Sequence, residues 1–238
     1  MAVVALLPAQ QAPQYSLYLL NPYAYNPAYA GMDNSLVATG VYRQQWSNLK
    51  GAPETQHLNM HLPLYMISSG VGMRVENDII GAHRSTQAVL TYSFHRELGR
   101  NAVLSVGVSG GYLQYALDGT KLRAPDGIYE PSGVFQHDDP FLPEGKVVAG
   151  TPVVEAGVYL QLNEFSLGVA TQPVFAPVLE ASDNGTFRLQ PVRHYVGAAS
   201  YQFSVGQNLA VKPGILVKSD LKETQAEISS IIRWKENI

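Results

Sequence analysis

The chain has 238 residues, no cysteine and a formal net charge of −3 at pH 7, and only 15% of its residues are charged. Soluble domains average roughly 25% charged residues, so this composition is unusual for a protein that faces water on all sides. The balance of charge excludes a basic surface for nucleic acid, and the lack of cysteine excludes disulfides and thiolate chemistry.

The N-terminus carries a short apolar run, Ala2 to Leu7, which Pro8-Ala9-Gln10 follows. This pattern is typical of the end of a secretory signal peptide with cleavage after Ala9, although a positively charged start is missing. We therefore expect residues 1–9 to be a signal-peptide remnant, the alternative being a frayed apolar terminus.

The next segment contains two Asn-Pro pairs, Asn21-Pro22 and Asn26-Pro27. An Asn-Pro pair favours an extended backbone and disfavours a helix, because proline restricts the residue that precedes it. The sequence therefore predicts that residues 10–34 form a rigid lead-in or plug ahead of the first strand.

From residue 35 onward the hydrophobic pattern has a period of two, which indicates strands. In Ala102–Tyr115, for example, Val106 and Val108 alternate with Gly107 and Ser109. Most segments are close to the roughly 9–11 residues of a tilted strand that crosses a bilayer. We count ten of them, at about 35–46, 54–64, 69–78, 86–96, 102–117, 151–162, 165–173, 192–204, 209–218 and 224–234.

The links between the segments alternate in length, as in outer-membrane barrels. Short links are expected at 65–68, 97–101, 163–164 and 205–208, and longer ones at 47–53, 79–85, 118–150 and 174–191, with the short link 219–223 as an exception. Aromatic residues near segment ends are candidates for interfacial girdles, namely Trp46, Tyr65, Tyr112, Tyr115, Phe165 and Trp234. The pattern predicts an all-β, transmembrane, antiparallel up-and-down barrel, with a periplasmic N-terminus and extracellular long loops.

Three charged residues of these segments, Arg43, Arg74 and Glu76, are expected to face the lumen. On the lipid face an arginine would cost about 2–4 kcal/mol at mid-bilayer. We predict that the three join an internal network of ion pairs and hydrogen bonds.

Motifs that could carry chemistry have simpler explanations here. Gly107–Gly111 matches the Gly-x-Ser-x-Gly elbow of hydrolases, but that motif needs a strand-to-helix turn and this one lies inside a strand. His57 and His61 lie four apart on a strand, about 13 Å from each other, which is too far for one metal. Acidic residues of the long loop fit either a calcium site or a solvated loop, namely Glu130, Asp138, Asp139 and Glu144. No catalytic, cofactor or metal site is predicted.

The run Asn26-Pro27-Ala28-Tyr29-Ala30-Gly31 resembles the NPAYAG motif that opens mature proteins of the PorP/SprF family. Similar motifs follow in order over residues 14–234: Tyr42–Trp46, Gly51–Gln56, Gly70–Gly72, Asn77-Asp78, Ile80-Gly81, Arg193–Tyr195 and Lys212–Lys218. The resemblance implies a barrel of about 14 strands. Residues 35–238 supply about ten, so we expect a barrel that is incomplete at its C-terminus, unless a partner covers its edges or ten strands close alone.

The same resemblance implies a non-enzymatic outer-membrane component of type IX secretion. Such a protein aids secretion or surface anchoring of cargo, including gliding adhesins, through the cargo's C-terminal signal domain. Its implied partners are the lipid bilayer, the ring and lipoprotein components of the machine and the cargo, with no small-molecule substrate or cofactor.

Two places are candidates for partner binding: the motif Asn26–Gly31 and the loop residues Asp138 and Asp139. The motif is either a structural plug or a periplasmic contact for secretion partners. Two other functions stay open: a passive porin or small-solute channel, and a soluble barrel or sandwich that binds or hydrolyses a ligand.

Overall fold

A computed structural model describes residues 18–46, 48–49, 51–125, 127–129, 135–138, 142–183, 185–206 and 208–234. The predicted signal remnant 1–9, the start of the lead-in and Asp139 lie outside the described residues.

Almost all of the regular structure is β-strand. The main sheet contains β1 (Val37–Gln44), β2 (Glu54–Leu64), β3 (Ser69–Ile80), β4 (His83–Glu97), β5 (Ala102–Asp118), β8 (Lys146–Leu162), β9 (Phe165–Phe175), β12 (His194–Tyr201), β13 (Phe203–Val205), β14 (Leu209–Ser219) and β15 (Thr224–Trp234). Two small hairpins pair β6 (Ile128–Tyr129) with β7 (Phe135–Gln136) and β10 (Leu179–Asp183) with β11 (Gly185–Leu189). Single 3₁₀ turns are η1 (Pro22–Ala24), η2 (Pro27–Tyr29), η3 (Tyr65–Ile67) and η4 (Gly119–Lys121).

The main sheet is antiparallel, and its strands follow one another in chain order. β12 and β13 occupy one position, because both pair with the same side of β14, while β15 pairs with its other side. The eleven strands therefore fill ten positions, and these correspond to the ten predicted segments. The predicted all-β, up-and-down antiparallel fold is confirmed.

The outer face of the sheet is apolar and its inner face is polar, which is the reverse of a water-soluble protein. On β5, Val106 and Val108 are 52% and 48% exposed, whereas Ser105 and Ser109 on either side of the pair are 0% and 1% exposed. The same inversion places Leu58 and Leu90 on the outside and His57 and His61 on the inside. Since soluble proteins rarely expose a continuous apolar face, this surface is suited to lipid, as the alternation predicted.

The links divide into two ends of the sheet, which we call the short-turn end and the long-loop end. At the short-turn end, hydrogen bonds join neighbouring turns, such as Asn163 N to Asn101 O at 2.8 Å. The long-loop end carries the described residues of the two long links, one between β5 and β8 and one between β9 and β12. One prediction was wrong: the link 79–85 is only a two-residue turn, because β3 and β4 pair as far as Ile80 and His83, with Gly81 in the left-handed region at φ +61°.

The residues predicted to form an aromatic girdle differ in their exposure. Trp46, Tyr65, Tyr112 and Trp234 are more than half exposed. Tyr115, in contrast, packs inward against a cluster of Val89, Leu113 and Val153, so its prediction as a girdle residue was wrong. Its place in the alternation of β5 decides this, since odd-numbered residues of that strand face inward.

The sheet curls on itself without a backbone ladder between its two edge strands, β1 and β15, in the part of the chain that the structure describes. The curl brings charges of distant strands together, since Lys218 on β14 interacts electrostatically with Glu76 on β3 and Arg43 on β1. Within the described ranges, no helix has the length and apolar character needed to span a membrane.

Candidate functional site

Residues 18–33, which we call the inner segment, lie inside the curled sheet except for Leu20 and Asp33, which are exposed. Their backbone forms the two 3₁₀ turns η1 and η2, and each begins with a proline whose fixed φ suits the first position of a helix. Asn26 caps η2, because its Oδ1 accepts a hydrogen bond from Ala28 N at 3.0 Å. The predicted extended backbone was wrong at η1 and η2, because the proline of each Asn-Pro pair begins a single 3₁₀ turn.

The sheet wall binds the backbone of the inner segment through donor side chains. Ser105 Oγ donates to Ala28 O at 2.5 Å, and Ser93 Oγ donates to Ala30 O at 2.7 Å. In the opposite direction, Asn26 Nδ2 donates to Val158 O at 3.0 Å. A buried polar group that lacks a partner costs about 1–3 kcal/mol, so these bonds specify the register of the segment against the wall.

Inward-facing glycines make room for this close approach. A Cβ on Gly107 would lie 2.4 Å from Ala28 N, and one on Gly70 would lie 2.1 Å from Ala30 O. A Cβ on Gly157 would lie 2.2 Å from Asn26 Oδ1. No real Cβ tolerates such distances, and therefore the wall is shaped to receive the segment.

A buried ion pair between β3 and β8 crosses the interior next to the inner segment. Arg74 Nη2 on β3 donates to both carboxylate oxygens of Glu155 on β8, at 2.5 and 2.6 Å. Both side chains are almost completely buried, at 6% and 2% exposure. Arg74 Nη1 also donates to Ala24 O at 3.0 Å, and Gln87 Nε2 donates to Glu155. One network thus joins β3, β4, β8 and the inner segment.

A second polar group lies where the segment leaves the interior. His61 Nδ1 accepts from Gly31 N at 3.0 Å, which leaves its Nε2 as the protonated nitrogen facing Asp33 Oδ2 at 3.5 Å. The rings of Tyr23 and Tyr29 contact the His61 ring edge-on, with centroids 4.9 and 5.9 Å away. Because the Gly31 amide occupies Nδ1, His61 acts here as a structural acceptor.

The predicted site residues fall into separate places. Arg74 pairs with Glu155, whereas Glu76 Oε2 lies 3.1 Å from His57 Nδ1, and Arg43 is partly buried on β1. Asn26, Ala28 and Ala30 are each 0% exposed, together with a buried Pro27 and Gly31 and a half-buried Tyr29. Asp138 lies in the loop between β5 and β8, at the other end of the molecule from Gly31, so the two candidate partner-binding places are not brought together.

Sequence reasoning missed several residues that matter most to this interior. Glu155, Gln87, Ser93, Ser105 and Gly107 all contact the inner segment or its ion pair. The pairing of Glu155 with Arg74 could have been predicted. A carboxylate on the polar face of a transmembrane segment needs an opposite charge, and Arg74 was the one arginine in the middle of a predicted strand. Among the described residues, no three His, Asp or Glu side chains cluster as they would around a metal ion.

Comparison with known proteins gives one match. A family model described as type IX secretion system membrane protein PorP/SprF matches residues 7–238. No curated protein and no solved structure matches the chain. The match covers the inner segment and every strand of the main sheet.

Proposed function

Because the chain belongs to the PorP/SprF family of outer-membrane type IX secretion components, we propose that it aids secretion or surface anchoring of cargo proteins without catalysing a reaction. The family membership is the observation that carries this proposal. In it, the long-loop end is extracellular and receives the C-terminal signal domain of the cargo, while the short-turn end faces the periplasmic components of the machine.

The strand lengths support the long-loop end as the docking surface. β5 and β8 each have 17 residues, and they pair along their whole length from Ala102–Leu162 to Asp118–Lys146. A tilted strand needs only about 9–11 residues to cross the bilayer. The extra residues raise a wall beyond the membrane, and the loop 119–145 with Asp138 continues from it.

The inner segment supports a plug role for Asn26–Gly31. Buried residues cannot contact a partner directly, and Asn26, Ala28 and Ala30 are inaccessible to solvent. We therefore propose that this motif closes the short-turn half of the interior. Arg43, Arg74 and Glu76 belong, in the same proposal, to the polar lining that holds it.

The environment of Gly107–Gly111, which resembles a hydrolase motif, supports the proposal that the protein is not a catalyst. Ser109 of Gly107–Gly111 shares a 2.7 Å hydrogen bond with Thr91 Oγ1, which in turn accepts from Tyr23 OH at 2.7 Å. Ser109 is 1% exposed and lies in the middle of β5. A nucleophile needs an adjacent base and access to substrate, and this serine is instead part of the contact between wall and inner segment.

Replacing residues 124–142 by a short Gly-Ser linker is expected to leave the protein in the outer membrane but to release cargo into the medium. The replaced range ends before β8, which begins at Lys146. Cell-surface labelling of the cargo measures retention, and replacement of the turn 220–223 at the same end is the control. Full retention of cargo with the linker in place would contradict the docking role of this loop.

The polar inner face also favours a second function, that of a passive porin or small-solute channel. Barrels of 16–18 strands leave an aqueous channel, whereas about eight strands are filled by side chains. Since the inner segment occupies this interior, we expect the purified protein to show little or no stable conductance in planar bilayers. Large, long-lived channels formed by the intact protein would favour the porin.

A further inference from the structure

A polar cavity of about 300 Å³ opens at the short-turn end, and its lining includes no residue of the inner segment. Pockets of this volume are at the small end of the range that holds organic ligands. Its lining comes from β8, β9, β14, the turn between β8 and β9, and the residue that joins β12 to β13: Gln161, Asn163, Glu164, Ser166, Gln202 and Lys212.

Among the described residues, Lys212 is the only cation of this lining, and it is half-buried on the inner side of β14, between the inward positions Ala210 and Gly214. In the described part of the chain, no carboxylate lies within 4 Å of its Nζ, although Asp33 and Arg233 act on it from farther away. Removing an ammonium partly from water without a close counter-ion is unfavourable. Lys212 is therefore suited to an anion that enters the cavity.

The remaining lining groups complement a carboxylate that is attached to a peptide-like body. Carboxamides both donate and accept hydrogen bonds, and Gln161 Nε2 donates one of its protons to Asn163 O at 2.6 Å. Ser166 of the lining shares a hydrogen bond of 2.6 Å with Ser200, its paired neighbour on β12. Glu164 also belongs to the lining, but it is exposed to solvent, and its carboxylate can accept an N–H group of the peptide-like body.

We propose that this cavity is a binding site for a carboxylate, with Lys212 as its charge partner and the carboxamides of Gln161 and Gln202 as hydrogen-bonding groups. The carboxylate belongs either to an acidic residue of a peptide or to a small organic acid. The site lies at the opposite end of the sheet from the loop 119–145, so it is separate from the cargo surface proposed above.

Isothermal titration of the full chain in detergent micelles tests this site. The probes are acetyl-Gly-Glu-Gly-amide, its uncharged counterpart acetyl-Gly-Gln-Gly-amide, and glutarate. We expect the glutamate peptide to bind about tenfold or more tightly than the glutamine peptide, the scale of one charge-assisted hydrogen bond. Glutarate binding as tightly as the glutamate peptide assigns the site to free organic acids, whereas weaker binding assigns it to peptides.

Matched variants assign the effect to the cavity. Lys212→Met keeps the aliphatic stem and should remove the preference for glutamate, while Lys212→Arg should retain it. Lys218→Met is the control, because Lys218 lies on the same face of the same strand about 20 Å away. Heat-modifiable mobility on gels verifies that each variant is folded. Equal binding of both peptides, no binding by any probe, or an unchanged preference in Lys212→Met would overturn the proposal.

Discussion

Glu155→Gln is expected to lower the free energy of unfolding by about 3–5 kcal/mol, because it leaves the buried Arg74 guanidinium without its counter-charge. Glu155 accepts two hydrogen bonds from Arg74 and one from Gln87, and neither member of the ion pair can reach water. Guanidinium unfolding in detergent micelles, followed by the fluorescence of Trp46 and Trp234, measures the loss.

Two control variants test whether the loss of stability depends on leaving a buried charge without its partner. Lys121→Ala removes the exposed pair with Asp118, whose atoms are 3.8 Å apart, and it should change stability by less than about 1 kcal/mol. The double variant Arg74→Met/Glu155→Leu removes both buried charges and should recover most of the lost stability. If Glu155→Gln unfolds at the same guanidinium concentration as the native chain, the ion pair does not stabilise the interior.

Gly107→Val is expected to displace the inner segment from the wall. Its side chain would enter the space of Ala28 and Pro27, whose backbone atoms lie 2.4–2.5 Å from the position of a Cβ. Overpacking of this kind costs about 1–3 kcal/mol, and the backbone of the segment cannot move without losing its bonds to Ser105 and Ser93. Chymotrypsin should then cleave at the segment's tyrosines, and conductance in planar bilayers should increase.

Gly110→Val is the matched control for this experiment. Gly110 lies three residues away on the same strand, faces outward, and has no atom within 4 Å of a Cβ position. It should behave as the native chain does, both in cleavage and in conductance, because valine suits an exposed position on an apolar face of a strand. Cleavage that is equally slow in Gly107→Val and Gly110→Val would mean that the segment does not depend on this contact.

Most of the strand architecture could be predicted because it depends on local alternation. A residue such as Val106 faces lipid and its neighbour Gly107 faces the interior regardless of what the interior contains. Prediction failed where pairing between strands sets the strand ends. Ile80 pairs with His83, so β3 and β4 extend into the range 79–85 that the sequence predicted to be a longer link. The same holds for β8, which begins at Lys146 because it pairs with Asp118 across a long loop.

The interior was less predictable, since its contacts join residues far apart in the chain. Arg74 and Glu155 are 81 positions apart, and nothing near either of them identifies the other. The small residues of the Gly107–Gly111 run were compatible with room in the lumen, but not with any particular occupant. That Ala28 fills the space beside Gly107 follows only from the folded path of the inner segment.

By itself, the sequence determined that this chain forms ten alternating strand positions with an apolar outer face, because side-chain direction in a strand has a period of two at every residue. Its Asn-Pro pairs also determined that residues 21–31 cannot form an α-helix. Only the tertiary structure decided that this segment lies inside the sheet, held by Ser93, Ser105 and Arg74. The physical reason is that hydrogen bonds and close packing across a lumen depend on how the sheet curls, a property of all its strands together.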